Sequence, residues 1–129
     1  MLLDTSFLID LMNGEEGAVT TARELEANLV QQRLSALTLF ELQYGVARSD
    51  RPDAERDRVE NVLASKPIHP ADTAVMRKAG RLAGQLANEG DAVADGDVII
   101  GATAEIVDEP VLTRNVADFE RLGVDIETY

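Results

Sequence analysis

Met1-Leu2-Leu3-Asp4-Thr5-Ser6-Phe7-Leu8-Ile9-Asp10-Leu11-Met12 opens the chain, and the break inside it decides the fold. An apolar run of three residues stops at an acid and two hydroxyls. Apolar residues then return in a pattern that suits a helix. The stretch therefore predicts a buried strand that ends at Asp4 and a helix that starts just after it. In an open α/β sheet, ligands sit outside the carboxyl ends of the strands, which would put Asp4, Thr5 and Ser6 at the site position. The same three residues would also serve as a simple helix cap. Both readings stand on this stretch alone.

Composition narrows the chemistry. A chain of 129 residues with 45% hydrophobic residues is expected to form one α/β domain over 1–129 with a proper core. No apolar run approaches the roughly twenty residues that span a bilayer, and no basic-then-apolar leader opens the chain, so a soluble cytoplasmic protein is expected. Cysteine is absent and His69 is the single histidine. Any metal site must then be built from oxygen. The net charge of −12, with 24 acids against 12 basic residues, argues against nonspecific nucleic-acid binding through a basic face. A surface this rich in acids and poor in lysine suits a high-salt cytoplasm, where repulsion is screened within a few ångströms.

Further along, Asn13-Gly14-Glu15-Glu16-Gly17 breaks the first helix. Ala18, Ala22, Leu25 and Leu29 then form the apolar stripe of a second. Leu34-Ser35-Ala36-Leu37 reads as a short buried strand. Thr38 and Glu41 have the Thr-x-x-Glu spacing of a capping box at the next helix start. Glu41 has mostly apolar sequence neighbours, where a carboxylate needs a partner. The capping box or a metal ion would supply one. Pro52 marks another helix start, and Lys66-Pro67-Ile68-His69-Pro70 reads as an extended link or edge strand with a structural His69. Val75, Ala79, Leu82 and Leu86 form the stripe of a helix that ends at Asn88-Glu89-Gly90.

Val93-Ala94-Asp95-Gly96-Asp97-Val98-Ile99-Ile100-Gly101-Ala102-Thr103-Ala104 carries two acids around a glycine and then a helix that is apolar on every side, expected at the centre of the fold. Asp97 falls at its N-terminus, where the helix dipole favours an anion. Val111-Leu112-Thr113 is a second strand that ends in polar residues, here Arg114, Asn115 and Asp118. Val124 to Tyr129 alternates like a final edge strand.

The βα repeat implies a short central parallel sheet with helices on both faces, so that Asp4, Asp97 and the Asn115/Asp118 pair converge on one edge, with Glu41 reaching in. Two like charges about 4 Å apart repel by roughly 4 kcal/mol at an effective dielectric of 20, so such a cluster requires a cation. Oxygen ligands select Mg²⁺ or Mn²⁺. The expected chemistry is metal-assisted phosphodiester hydrolysis.

Taken together, these motifs resemble the PIN-domain ribonucleases and, more narrowly, the VapC toxins of VapBC toxin–antitoxin pairs. The resemblance runs the length of the chain. It implies a PIN fold, a Mg²⁺- or Mn²⁺-dependent endoribonuclease acting on RNA, a cognate VapB-type antitoxin and a homodimer. Matched residue by residue, Asp4 and Asp97 are the metal-binding aspartates and Glu41 is the third acid. Asp118 or Asn115 fills the fourth place. Asp95 matches an acid often found two residues before the metal ligand; Thr5, Ser6 and Thr113 would support the cluster by hydrogen bonds, and Arg114 would contact phosphate or an acid. Rival readings are a housekeeping RNA-processing nuclease of the same fold, an inactive PIN-like module that only binds a partner, and a receiver-like domain. The receiver needs a lysine near a late strand, which neither Lys66 nor Lys78 supplies.

Overall fold

The computed structural model describes residues 1–129. Its strands are β1 Leu2–Leu3, β2 Leu34–Ser35, β3 Ile68–His69, β4 Val111–Leu112 and β5 Ile126–Glu127. The helices are α1 Thr5–Met12, α2 Glu16–Ala27, α3 Ala36–Arg48, α4 Pro52–Leu63, α5 Thr73–Asn88, α6 Asp95–Val107 and α7 Val116–Leu122. Every strand pair is parallel: β1 with β4, β4 with β5, and β2 with β3. A Leu2–Arg33 bridge joins the two groups, with Leu3 N–H donating to the Arg33 carbonyl and Arg33 N–H to that of Met1, both at 2.9 Å. The spatial order is therefore β3-β2-β1-β4-β5.

Strand periodicity explains the layers. Successive residues of a strand face opposite sides, and Leu3 and Leu112 enter the core under α1, α2, α3 and α4, whereas Leu2 and Val111 enter the one under α5, α6 and α7. The winding runs outward from β1 to β3 with helices on one face, then returns to β4 and β5 with helices on the other. A reversal of this kind leaves a crevice at the carboxyl ends of the two strands where it occurs. Those strands are β1 and β4, which end at Asp4 and Thr113.

Two expectations need correction. The second-helix stripe stops at Leu25: α2 ends at Ala27, Asn28 caps it, and Leu29 lies at φ +55° with 92% of its surface exposed. The β2 strand is also shorter than the apolar pattern implied. Ser35, fully buried, caps α3 by accepting from Leu37 N–H at 3.1 Å, so Thr38 lies inside the helix and no Thr38–Glu41 capping box forms. Leu25→Ala is expected to cost about 2–5 kcal/mol of stability and Leu29→Ala less than about 0.5 kcal/mol, read from urea unfolding midpoints. Equal losses would contradict this placement of the α2 boundary.

Candidate active site

Asp4 is 2% exposed, and both its oxygens are engaged. Oδ1 accepts from Thr5 N–H at 2.8 Å, which makes Asp4 the cap of α1. Oδ2 accepts from the hydroxyls of Ser6 and Thr113, each at 2.7 Å. The cap and site readings thus describe one side chain. Three neutral donors hold a buried carboxylate in a fixed orientation and leave a lone pair of Oδ1 without a protein donor. Asn115 N–H donates to Thr113 Oγ1 at 2.9 Å, so the loop after β4 is fixed by the same network.

Glu41 lies one layer outward. Its helix face is exposed, but its carboxyl end turns inward, where Thr5 Oγ1 donates to Oε1 at 2.9 Å and the hydroxyl of the buried Thr38 lies 3.0 Å from that of Thr5. Gly96 packs closely beside it: a Cβ there would press on Leu37 Cδ2 at 3.3 Å but meet Glu41 Oε2 at an ordinary 3.7 Å. Withdrawal from water raises the Glu41 pKa, and the charge of Asp4 adds to the rise while the Thr5 bond opposes it. Asp97 is pushed further, to about 7, first by burial and then by the charge of Asp4, a hydrogen bond with Asp118, and the charges of Asp118 and Glu41. The four acids of β1, α3, α6 and α7 therefore sense one another. No three of them stand close enough to enclose an ion.

A model of the PIN domain matches residues 1–124. The chain belongs to the PIN-domain family. Ribonuclease VapC19 of Mycobacterium tuberculosis is 33% identical over 120 residues, spanning 92% of this chain and 90% of the relative. The tRNA(fMet)-specific endonuclease VapC of Shigella flexneri is 27% identical over 122 residues, 95% and 91% of the two chains. Among solved structures, DNA-bound VapBC from Salmonella typhimurium aligns with a TM-score of 0.87 at 28% identity, covering 98% of this chain and 96% of that one. VapBC2 from Rickettsia felis, bound to a promoter DNA fragment, shares the fold with a TM-score of 0.89 at 22% identity, covering 98% and 96% of the two chains.

Within this PIN domain Asp4, Thr5, Ser6, Glu41, Asp97, Thr113 and Asp118 are brought together. Asp95 and Asn115 are not. Asp95 is exposed on the first turn of α6 and lines an apolar groove with Met76 and Ile99. Asn115 is also exposed and makes no side-chain cap, while Asp118, one turn on, reaches Asp97. Asp97 is not the cap of α6 either: Ala94 holds that position without a side-chain bond. Arg114 meets an acid, donating from Nη1 to Asp10 Oδ1 at 2.6 Å. The other Asp10 oxygen accepts from the Tyr129 hydroxyl at 2.5 Å. Burial and the Asp10 bond push the Tyr129 pKa up, which keeps that hydroxyl a donor. Sequence reasoning missed Asp10 and Tyr129. The available signal was a single acid inside the apolar run Phe7 to Met12, a position where a charge must find a partner.

The raised proton affinity of Asp97 contributes to the pH dependence of stability. The folded chain holds the Asp97 proton up to about pH 7, whereas a carboxyl with the ordinary value of 3.8 has already lost it. The folded state binds more protons between those values, so this contribution to stability is lost as pH rises through the window. In chelator, the wild-type melting temperature should fall relative to Asp97→Asn between pH 4 and about pH 7 and run parallel above. Identical pH profiles would remove the perturbed proton from Asp97.

Proposed function

We propose that the protein is a Mg²⁺- or Mn²⁺-dependent endoribonuclease, the toxin of a toxin–antitoxin pair, with RNA as substrate, a VapB-type antitoxin as partner and a homodimer as its working form. The observation that carries this reading is the buried, three-donor Asp4 carboxylate set beside Asp97, Asp118 and Glu41 at the reversal of the parallel sheet. The relatives named as ribonucleases and endonucleases, and the VapBC complexes of the same fold, support it.

The donor set fits a hard divalent cation. Every candidate ligand is a carboxylate or hydroxyl oxygen, and burial together with neighbouring acid charge raises the proton affinity of Glu41 and Asp97, as in a cluster short of positive charge. Mg²⁺ takes one or two protein carboxylates directly and keeps waters or phosphate oxygens elsewhere, so the remaining acids would act through those waters. Asp4 and Asp97 would hold the ion, with Asp118 and Glu41 completing the set. When bound, the ion supplies Lewis-acid polarisation of water and offsets charge on the scissile phosphate. Thr5, Ser6 and Thr113 fix the ligands, since their hydroxyls donate to Glu41 and Asp4. A bound cation would offset the burial and repulsion that raise the proton affinity of Asp97, leaving it ionised as a ligand.

Asp4→Ala and Asp97→Asn are each expected to lower metal-dependent cleavage of cellular RNA at least about 100-fold with the fold retained by circular dichroism, and Ser6→Ala or Thr113→Ala about 10- to 100-fold. Discrete fragments should appear with wild type and Mn²⁺ or Mg²⁺ and vanish with chelator. Full activity in the Asp4 or Asp97 variant would overturn the assignment.

A further inference from the structure

A second cavity adjoins the acid pocket. It holds about 430 Å³ and is lined by Asp10, Glu15, Thr113, Arg114, Val116, Thr128 and Tyr129. Thr113 belongs to both, since its hydroxyl is bonded to Asp4. The main chain joins them again: Arg114 N–H donates at 3.3 Å to the Ser6 hydroxyl that itself donates to Asp4. A group bound in the cavity therefore sits one residue away from the proposed reaction centre.

The cavity walls show what it accepts. Of its two carboxylates, Glu15 is spent capping α2, where it accepts from Gly17 N–H at 3.0 Å and Ala18 N–H at 2.8 Å. Asp10, 9% exposed, is spent between Tyr129 and Arg114. Tyr129 is in turn fixed edge-on against buried Phe7, with ring centres 5.0 Å apart at 77°. The Arg114 guanidinium is 57% exposed, and only Nη1 is committed. Its other N–H donors have no protein partner and form the planar fork that matches phosphate oxygens. The other arginine tied to the acid cluster, Arg121, is held by Asp91 at 3.2 Å and by Asp118 at 3.7 Å.

We infer that this cavity is a subsite for the nucleotide next to the scissile bond, with Arg114 binding its backbone phosphate and the chain of contacts Phe7–Tyr129–Asp10 holding the guanidinium in place. The inference rests on the ribonuclease reading and deepens it. It also gives a chain of net charge −12 a directional guanidinium contact for RNA, the carboxylates of Asp10 and Glu15 having their lone pairs turned to protein donors. Arg114 is a binding residue here; Asp10 and Tyr129 are positioning residues that act through it.

The test is steady-state cleavage of a short RNA carrying a mapped cleavage site, with wild type, Arg114→Gln, Arg114→Lys, Tyr129→Phe and, as a control for simple charge loss, Arg23→Gln on the exposed face of α2. Arg114→Gln should raise KM about tenfold with kcat within about threefold, and should lower the salt slope of RNA affinity by roughly 0.7. Arg114→Lys should keep the salt slope and recover only part of KM, because the point charge remains and the fork is lost. Tyr129→Phe should raise KM about two- to threefold at unchanged slope, and Arg23→Gln should change nothing. Absence of cleavage by wild type would overturn the ribonuclease reading itself. Cleavage by wild type with KM and slope unmoved in Arg114→Gln would overturn the subsite alone. An unchanged RNA KM together with a weakened antitoxin complex would also overturn it, giving the cavity to the protein partner.

Discussion

One carboxylate sets the terms for the rest of this molecule. Asp4 is buried at the end of β1, and a carboxylate there is tolerated because the chain supplies it with three donors. Thr5 N–H comes free at the start of α1, Ser6 follows one residue later, and Thr113 arrives from β4 at the far end of the sequence. Each donor fixes an element: α1 must begin at Thr5, and β4 must pair with β1 in the register Leu2 with Val111 and Leu3 with Leu112. That register sorts alternate strand residues into the two cores and places the polar residues after both strands on one edge.

The second constraint is repulsion. Burial and the charges of Asp4, Asp118 and Glu41 raise the proton affinity of Asp97. The Glu41 carboxyl lies beside Gly96 at the start of α6. Interactions of this kind oppose folding. Their presence at the sheet edge is the structural mark of a site arranged for a charge from outside the chain.

Much of this was legible in the sequence wherever a pattern was local. The apolar–acid–hydroxyl break at Asp4, the circumferentially apolar α6 and the polar end of β4 gave the fold class and the order of its elements. They also gave the acids that gather. Boundaries were harder, because Ser35 and Thr38 are both good caps and only tertiary burial decides between them. Leu29 has the right spacing for the α2 stripe, yet Asn28 had already ended the helix. Asp95 and Asp97 differ by a rotation of about 200° on the helix, so only one of them turns to the pocket. The Asp10–Tyr129 bond joins residues 119 positions apart, beyond any local pattern. What remained visible there was an acid in an apolar run.

The bond between Thr113 and Asp4 spans 109 positions of the chain. The core under α1 to α4 draws mainly on the first half of the sequence, with Leu112 and Tyr129 added from the second. The acid pocket cannot form from that half. Its central carboxylate acquires its final donor, and its neighbours Asp97 and Asp118, only after nearly the whole protein has been made, so a nascent or truncated chain carries Asp4 and Glu41 without the site.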